Sequence, residues 1–374
     1  MAGIYLHIPF CRQACTYCNF HFSTSLHHKS ALIKALLKEI ELQQAFLDGD
    51  KISTIYFGGG TPSLLDVDEC EMILNKLAGA FDVSPTAEIT LEANPDDIDI
   101  QKLSAWKTLG INRLSIGIQS FFNEDLQWMN RAHNSQQSFR CLSDATKLFT
   151  NITIDLIYGT PLLTDEKWEQ NLQTALSFQI PHLSCYALTV EERTPLHKQI
   201  SQKKKEDVDA DKQARQFLHL MHRLEESGYE HYEVSNFAKP GYRSQHNSGY
   251  WRGEKYLGLG PSAHSYNGAH IRRWNIANNN LYIRSVALSN SSGEEEILTH
   301  DQQYNEYVMI SLRTSEGIDL QMVARRWSER RKIELVSKLG RQKYNGLLVV
   351  TDSTVQLTKE GMLMADGIAS DLFI

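Results

Sequence analysis

No stretch of this 374-residue chain approaches the roughly 18 consecutive apolar residues that cross a membrane. The N-terminus has no basic region followed by an apolar run. It enters the strand-like Gly3-Ile4-Tyr5-Leu6 at once, so a secretory signal is not expected. Lys and Arg total 38 against 45 Asp and Glu, a formal charge of -7, which argues against a nonspecific nucleic-acid binder. No internal repeat is visible beyond an alternation of strand and helix patterns. The glycine run Gly58-Gly59-Gly60-Thr61-Pro62 lacks the lysine of a P-loop and the spacing of a dinucleotide fingerprint. These absences leave a bacterial-type cytoplasmic protein as the simplest reading. Its length suits one α/β domain with an appended domain.

Cysteine is scarce, at six residues, yet three of them fall in Cys11-Arg12-Gln13-Ala14-Cys15-Thr16-Tyr17-Cys18, spaced C-x3-C-x2-C. Thiolates crowded on one loop suit a metal or cluster. A structural zinc would need a fourth ligand, from His7, His21 or a remote side chain. An iron–sulfur cubane normally takes four cysteines. Three would leave one iron open to a substrate. A disulfide frame is not expected, since three cysteines this close cannot all pair and nothing marks secretion. Cys70, Cys141 and Cys185 read as buried free thiols.

Apolar, β-rich runs at 4–8, 52–57, 87–91, 113–118, 152–157 and 182–188 alternate with helical periodicity at 30–46, 66–80, 98–109, 123–149 and 166–178. Near-continuous apolar strands are expected where both faces are covered. The fold class is therefore α/β, with a parallel sheet curved into a partial or full barrel. Pattern alone does not separate six units from eight, or either from an open doubly wound sheet. The polar motifs share one side: the cysteine loop, the glycine run, Glu92, Gln119 and Asp155 all lie at or near C-terminal strand ends. Parallel α/β folds place ligands there. Asp155 interrupts an apolar run, so it must be paired or bind something. Arg131 reads by default as a surface ion-pair partner, and Lys203-Lys204-Lys205 as a solvated linker or helix start.

An amphipathic helix is expected over 209–227. Residues 236–290 are rich in Asn, Gly, Tyr and Trp with weak periodicity and read as a connector; 289–293 reads as a loop. From 299 the pattern is helix-rich, with a small hairpin at 347–357. The expected division is 1–235, a (β/α) barrel; 236–290, the connector; and 291–374, a helix-rich, winged-helix-like domain. Within the connector, His246-Asn247-Ser248-Gly249-Tyr250-Trp251 offers either a packed loop or a heme site, in which His would ligate iron between aromatic walls. His264 and His270, nearby, read as structural.

Tyr5-Leu6-His7-Ile8-Pro9-Phe10-Cys11, followed by Cys15, Tyr17 and Cys18, resembles the cluster loop of radical S-adenosylmethionine (SAM) proteins. The closer resemblance is to the branch of oxygen-independent coproporphyrinogen III dehydrogenases and HemW heme chaperones. It implies a partial (β/α)6 barrel and a [4Fe-4S] cluster on Cys11, Cys15 and Cys18, with SAM chelating the fourth iron. It implies SAM contacts from Gly58, Gly59, Gly60, Thr61, Glu92, Arg131 and Asp155. Gln119, Tyr5 and Tyr17 match residues lining that pocket. The HNxxYW stretch, with His246, Asn247, Tyr250 and Trp251, resembles the HemW motif implicated in heme handling. Two departures from the dehydrogenases point the same way. Phe20 stands where they carry a further Cys, and the chain begins at the first strand without their N-terminal extension. The resemblance thus implies a heme chaperone serving acceptor hemoproteins, membrane respiratory enzymes among them, with no assigned catalytic residue. It implies an electron donor and leaves oligomeric state open, a homodimer included. The alternative is the dehydrogenase, which decarboxylates two propionates of coproporphyrinogen III. A zinc-stabilised binding module fits poorly with Glu92, Arg131 and Asp155 together.

Overall fold

Apolar and β-branched residues form six strands: β1 (Ala2–Ile8), β2 (Ile52–Gly59), β3 (Val83–Ala93), β4 (Arg113–Gln119), β5 (Ile152–Tyr158) and β6 (His182–Ala187). The computed structural model describes residues 1–289, 293–340 and 344–374. Within it the six strands pair in chain order, each parallel to the next. Helices cross between them, as parallel pairing requires. β1 and β6 are not neighbours in the sheet, so the six-unit barrel stays open.

The strands are not uniformly apolar. Ile4, Leu6, Ile8, Phe57, Leu91, Leu114, Ile116, Ile154 and Leu156 belong to the main core, with Trp106 and Trp168 buried among the crossover helices. The alternate positions carry Thr54 and Tyr56, Glu88 and Glu92, Arg113 and Ser115, Thr153 and Asp155, His182 and Ser184. Strand side chains alternate faces, so these groups share the inner face. Contacts across it agree: Arg113 reaches Thr153 and lies 3.9 Å from Glu88, and Tyr56 bonds Glu92. The barrel therefore has a polar lumen inside an apolar wall.

The helical pattern expected over 123–149 breaks in two, Asn123–Trp128 and Ser135–Leu148. The second helix starts afresh at Asn134, whose side chain accepts from the Gln137 amide in a capping box. Asn130, between them, has φ 58°, a left-handed turn that asparagine tolerates. Lys205 is not fully solvated either: its ammonium bonds the Trp128 carbonyl and lies 4.2 Å from the centre of the Trp128 ring.

β7 (Glu230–Glu233) precedes the stretch expected as a connector, and that stretch is largely regular: β8 (Asn236–Ala238) pairs antiparallel with β6 and with β7, extending the sheet. On the other edge β9 (Tyr256–Leu259) pairs parallel with β1. Antiparallel β10 (His264–Tyr266), β11 (Ile271–Asn275) and β12 (Gly293–Ile297) follow, giving a sheet of twelve strands among the described residues. The HNxxYW stretch is a short helix, Gln245–Trp251. Of the loop expected at 289–293, residues 290–292 lie outside the described residues.

The C-terminal part matches its expectation. Helices His300–Leu312, Leu320–Arg326 and Glu329–Leu339 pack with β13 (Ile318–Asp319), β14 (Leu348–Val350) and β15 (Thr354–Leu357) around Val308, Leu312, Leu335 and Val355. Backbone bonds from Val234 to Arg313 (2.9 Å) and from Ser315 to Tyr232 (3.1 Å) tie it to the barrel.

Candidate cluster and ligand site

The cysteine loop leaves the C-terminal end of β1, and the groups around it come from segments that follow β2, β3 and β4. Thr61 follows β2, and its hydroxyl donates to Cys11 Sγ at 3.5 Å. Asn94 follows β3, and its Nδ2 donates to Thr61 Oγ1 at 3.1 Å. Arg131, in the broken helix after β4, donates to Asn94 Oδ1 at 2.6 Å, to the Gly117 carbonyl at 2.9 Å and to Cys15 Sγ at 3.3 Å. Cys11, Thr61, Asn94, Arg131 and Cys15 thus form one polar chain linking two of the three sulfurs. The helix break also grips the loop through backbone: Asn130 Nδ2 donates to the Ala14 carbonyl (2.7 Å), and the Thr16 amide to the Met129 carbonyl (3.1 Å). Burial pushes the Cys11 thiol up to about 11 and raises Cys18. Burial thus disfavours the bare Cys11 and Cys18 thiolates, which a bound cation would compensate.

The glycine run earns its residues by packing. A Cβ on Gly60 would lie 2.7 Å from the Phe10 carbonyl oxygen, and one on Gly59, at φ 109°, would strike the His7 ring. A Cβ on Gly58 would meet Tyr5 at 2.8 Å and Glu92 Oε1 at 3.2 Å. The run lets the end of β2 lie directly against the cysteine loop.

Below this rim, Glu92 and Asp155 face the lumen and remain partly accessible. Tyr56 donates to Glu92 Oε1 at 2.8 Å, and Ser184 bonds Asp155. Burial, then the neighbouring Asp155 charge, pushes Glu92 up to about 7, and burial pushes Asp155 up to about 6. With Glu88, the inner face holds three carboxylates against the guanidiniums of Arg113 and Arg131, an excess that favours a cationic guest. Gln119 ends β4 with φ 66°, its amide near Gly117 and Arg131. Tyr17 lies against Arg131, and Tyr5 stacks near Tyr56 with ring centres 6.1 Å apart. The expected lumen residues are therefore brought together, joined by Asn94, Tyr56 and Ser184, which the sequence reading passed over.

His246 is placed elsewhere. It is 3 % exposed at the barrel floor, stacked on Tyr56 with ring centres 5.0 Å apart. Its Nδ1 pairs with Thr54 Oγ1 and its Nε2 with the Tyr250 hydroxyl, each at 2.8 Å. Glu88 accepts from the Gln245 and His246 amides, fixing this helix as a plug. Both imidazole nitrogens are engaged, so His246 presents no free nitrogen to an iron atom in this arrangement. Asn247 lies in the first turn of the same helix, its amide donating to the hydroxyl of the capping Ser244 at 3.3 Å. Tyr250 and Trp251 instead line a cavity of about 1030 Å³ between the cysteine loop and the C-terminal domain. Phe20, 68 % exposed, lines the same cavity.

Residues 5–175 match the radical SAM superfamily and residues 298–364 match the HemN C-terminal domain. The heme chaperone HemW of Mycobacterium tuberculosis is 33% identical over 99% of this chain and 94% of its own. HemW of Bacillus subtilis is 31% identical over 98% of each chain. The chain belongs to the HemW family of radical SAM proteins. A mitochondrial radical S-adenosyl methionine domain-containing protein 1, from Danio rerio, is 31% identical over 100% of this chain and 87% of its own. The solved coproporphyrinogen III oxidase HemN of Escherichia coli, a radical SAM enzyme, superposes with a TM-score of 0.85. It is 25% identical, covering 100% of this chain and 90% of that one. The shared fold is thus the HemN fold, while the near-full-length relatives of higher identity carry the chaperone name, which does not favour the dehydrogenase alternative.

The superfamily implies a [4Fe-4S] cluster and SAM, and the residues present fit both. No three His, Cys, Asp or Glu side chains among the described residues converge on a single-ion site. A cubane does not need that, because each cysteine ligates a different iron. Thr61 and Arg131 already donate to two of the sulfurs, as ligating thiolates require. Arg131 Nε is buried with no partner among the described residues, a donor left over beside the carboxylate-rich lumen.

Proposed function

We propose that this protein is a heme chaperone, taking up heme and passing it to acceptor hemoproteins, membrane respiratory enzymes among them. The observation that carries this reading is the cavity of about 1030 Å³ walled by Tyr250, Trp251 and Phe20 beside the cysteine loop. It is at the upper end of ligand-site volumes and suits a large, flat, mostly apolar guest. The name shared by relatives spanning nearly the whole chain supports the same reading. Cys11, Cys15 and Cys18 would hold the [4Fe-4S] cluster. Tyr5, Tyr17, Gly58, Gly59, Gly60, Thr61, Glu92, Gln119, Arg131 and Asp155 would frame SAM. When bound, the cluster supplies one-electron chemistry, fed by a protein electron donor. The protein would work in the cytoplasm, where a reducing environment preserves the thiols. No helix among the described residues is long and apolar enough to cross a membrane, so delivery to a membrane acceptor would run through protein contacts.

Anaerobic incubation of the cluster-loaded protein with coproporphyrinogen III, SAM and a reductant is expected to give no protoporphyrinogen, while ferric heme is taken up saturably. Protoporphyrinogen formation in step with protein concentration would replace this reading with the dehydrogenase.

SAM affinity should depend on pH. Glu92 and Asp155 titrate near 7 and 6, above ordinary carboxylates. A cationic ligand favours their ionised forms, so binding releases protons in that window. Affinity therefore rises as pH goes from about 6 to about 7, by up to roughly tenfold per unit for one group, then levels off. Glu92→Gln should weaken binding and flatten the upper part of the rise. Calorimetry showing SAM affinity independent of pH between about 5.5 and 8 would contradict the assignment of these carboxylates.

A further inference from the structure

Four histidines lie on or near the wall of the large cavity, and their partners separate them. His246 is buried beneath it with both nitrogens bonded. His7 pairs with the Tyr5 hydroxyl at 3.3 Å and the His21 carbonyl at 2.9 Å. His21 Nε2 pairs with Asn279 Oδ1 at 2.8 Å. His264 lines the cavity, and its ring makes no hydrogen bond to any described residue. Its position is nonetheless fixed. The ring stacks on Trp274 with centroids 5.9 Å apart and planes 27° from parallel. β10 is clamped between β9 and β11, and a Cβ on Gly258 would fall 2.0 Å from the His264 carbonyl oxygen, so the strand is held close. His264 is solvent-exposed on its strand; partial desolvation of the ring and the nearby Arg272 lower its basicity, which favours the neutral form that metal ligation requires.

The charges of the wall also sort themselves. Glu306 is paired with Arg272, Glu316 with Arg243 and Asp319 with Arg325. Arg326 donates to Gln303 at 3.1 Å and has no carboxylate partner among the described residues. A heme needs an axial donor, flat apolar walls and a cation for its propionates. His264, the Tyr250–Trp251 wall and Arg326 supply them around one cavity.

We propose that heme is held in the cavity between the barrel and the C-terminal domain, with His264 as its axial ligand and Arg326 pairing with a propionate. This deepens the chaperone reading and rests on it. One imidazole nitrogen gives its lone pair to the ferric iron, and no electron is transferred. His246 is then a floor residue that positions Tyr250 through their hydrogen bond. An axial ligand on a three-residue strand at the cavity mouth leaves the heme edge near solvent, where an acceptor can reach it.

The test is titration of ferric heme into the full-length, cluster-loaded protein, followed by difference spectra. Wild type should show a histidine-ligated Soret band. His264→Ala should lose that band and bind at least about tenfold more weakly, equal to about 1.4 kcal/mol. Free imidazole should restore the band in His264→Gly. Arg326→Glu should weaken uptake without moving the band. A folded His264→Ala with the wild-type band and affinity would overturn the proposal, as would loss of the band only in His246→Ala. If His264→Ala does not fold, His264→Met should shift the bands to methionine-type ligation, and unchanged bands would overturn it. Wild type that takes up no heme at all would instead remove the chaperone reading itself.

Discussion

Replacing Cys15 with alanine should leave a folded protein that carries no cluster. Iron and sulfide should fall to background after anaerobic reconstitution, and the broad visible absorbance should vanish. The loop offers three thiols and no more. Cys70, Cys141 and Cys185 are buried in two helices and a strand, where burial pushes the Cys70 thiol up to about 12 and raises the other two further. They cannot substitute. Cys15 is also the sulfur that Arg131 contacts, so its loss opens the polar chain on the side away from Cys11. The fold should persist, because Cys15 is only half-buried and the loop keeps its bonds from Thr16, Gln13 and Asn130. Heme uptake should persist as well, since Cys15 does not line the large cavity. Full iron content in Cys15→Ala would mean that a ligand other than these cysteines, His7 or His21 first, completes the site.

Arg131→Met should cost more stability than any other single change at the rim. The side chain joins the loop to the ends of β3 and β4 through Cys15, Asn94 and the Gly117 carbonyl. Methionine matches its length and removes its donors. Asn94 Oδ1 and Gly117 O would then be left without that partner, at about 1–3 kcal/mol each where buried. We therefore expect about 2–6 kcal/mol from the two acceptors together in anaerobic urea unfolding, with poorer cluster retention. Asn94→Ala should be milder, because Arg131 keeps Gly117 and Cys15. A change below about 1 kcal/mol for Arg131→Met would show that the rim is held by backbone alone.

The barrel was legible because six apolar strands alternate with amphipathic helices, and because its polar motifs gather at strand ends. The lumen was less so. Thr54, Glu88, Arg113 and His182 are single polar residues in β-rich runs, and only their pairing across the barrel turns them into one surface. That Arg131 sits at a helix break was hidden by helical periodicity that continues on both sides of it. What breaks the helix is the Asn130 turn and the Asn134 cap, and the spacing of polar residues there gave a readable but overlooked start signal. β9, β10 and β11 are three to five residues long, and β9 pairs with a strand at the opposite end of the chain. Such short, non-local strands carry little period of their own. The HNxxYW stretch stood out correctly as unusual, but its histidine is spent on Thr54 and Tyr250. His264 gave no local signal, since its freedom depends on what every other group around the cavity has already bonded.

The central claim, that this protein carries heme for delivery, is tested most directly by transfer. Heme-loaded protein should be mixed anaerobically with an apo-hemoprotein acceptor and the two separated. The account predicts that heme leaves with the acceptor, that the acceptor's own Soret band appears, and that His264→Ala delivers less because it loads less. Heme that stays bound, or that reaches the acceptor no faster than free heme does, would contradict it.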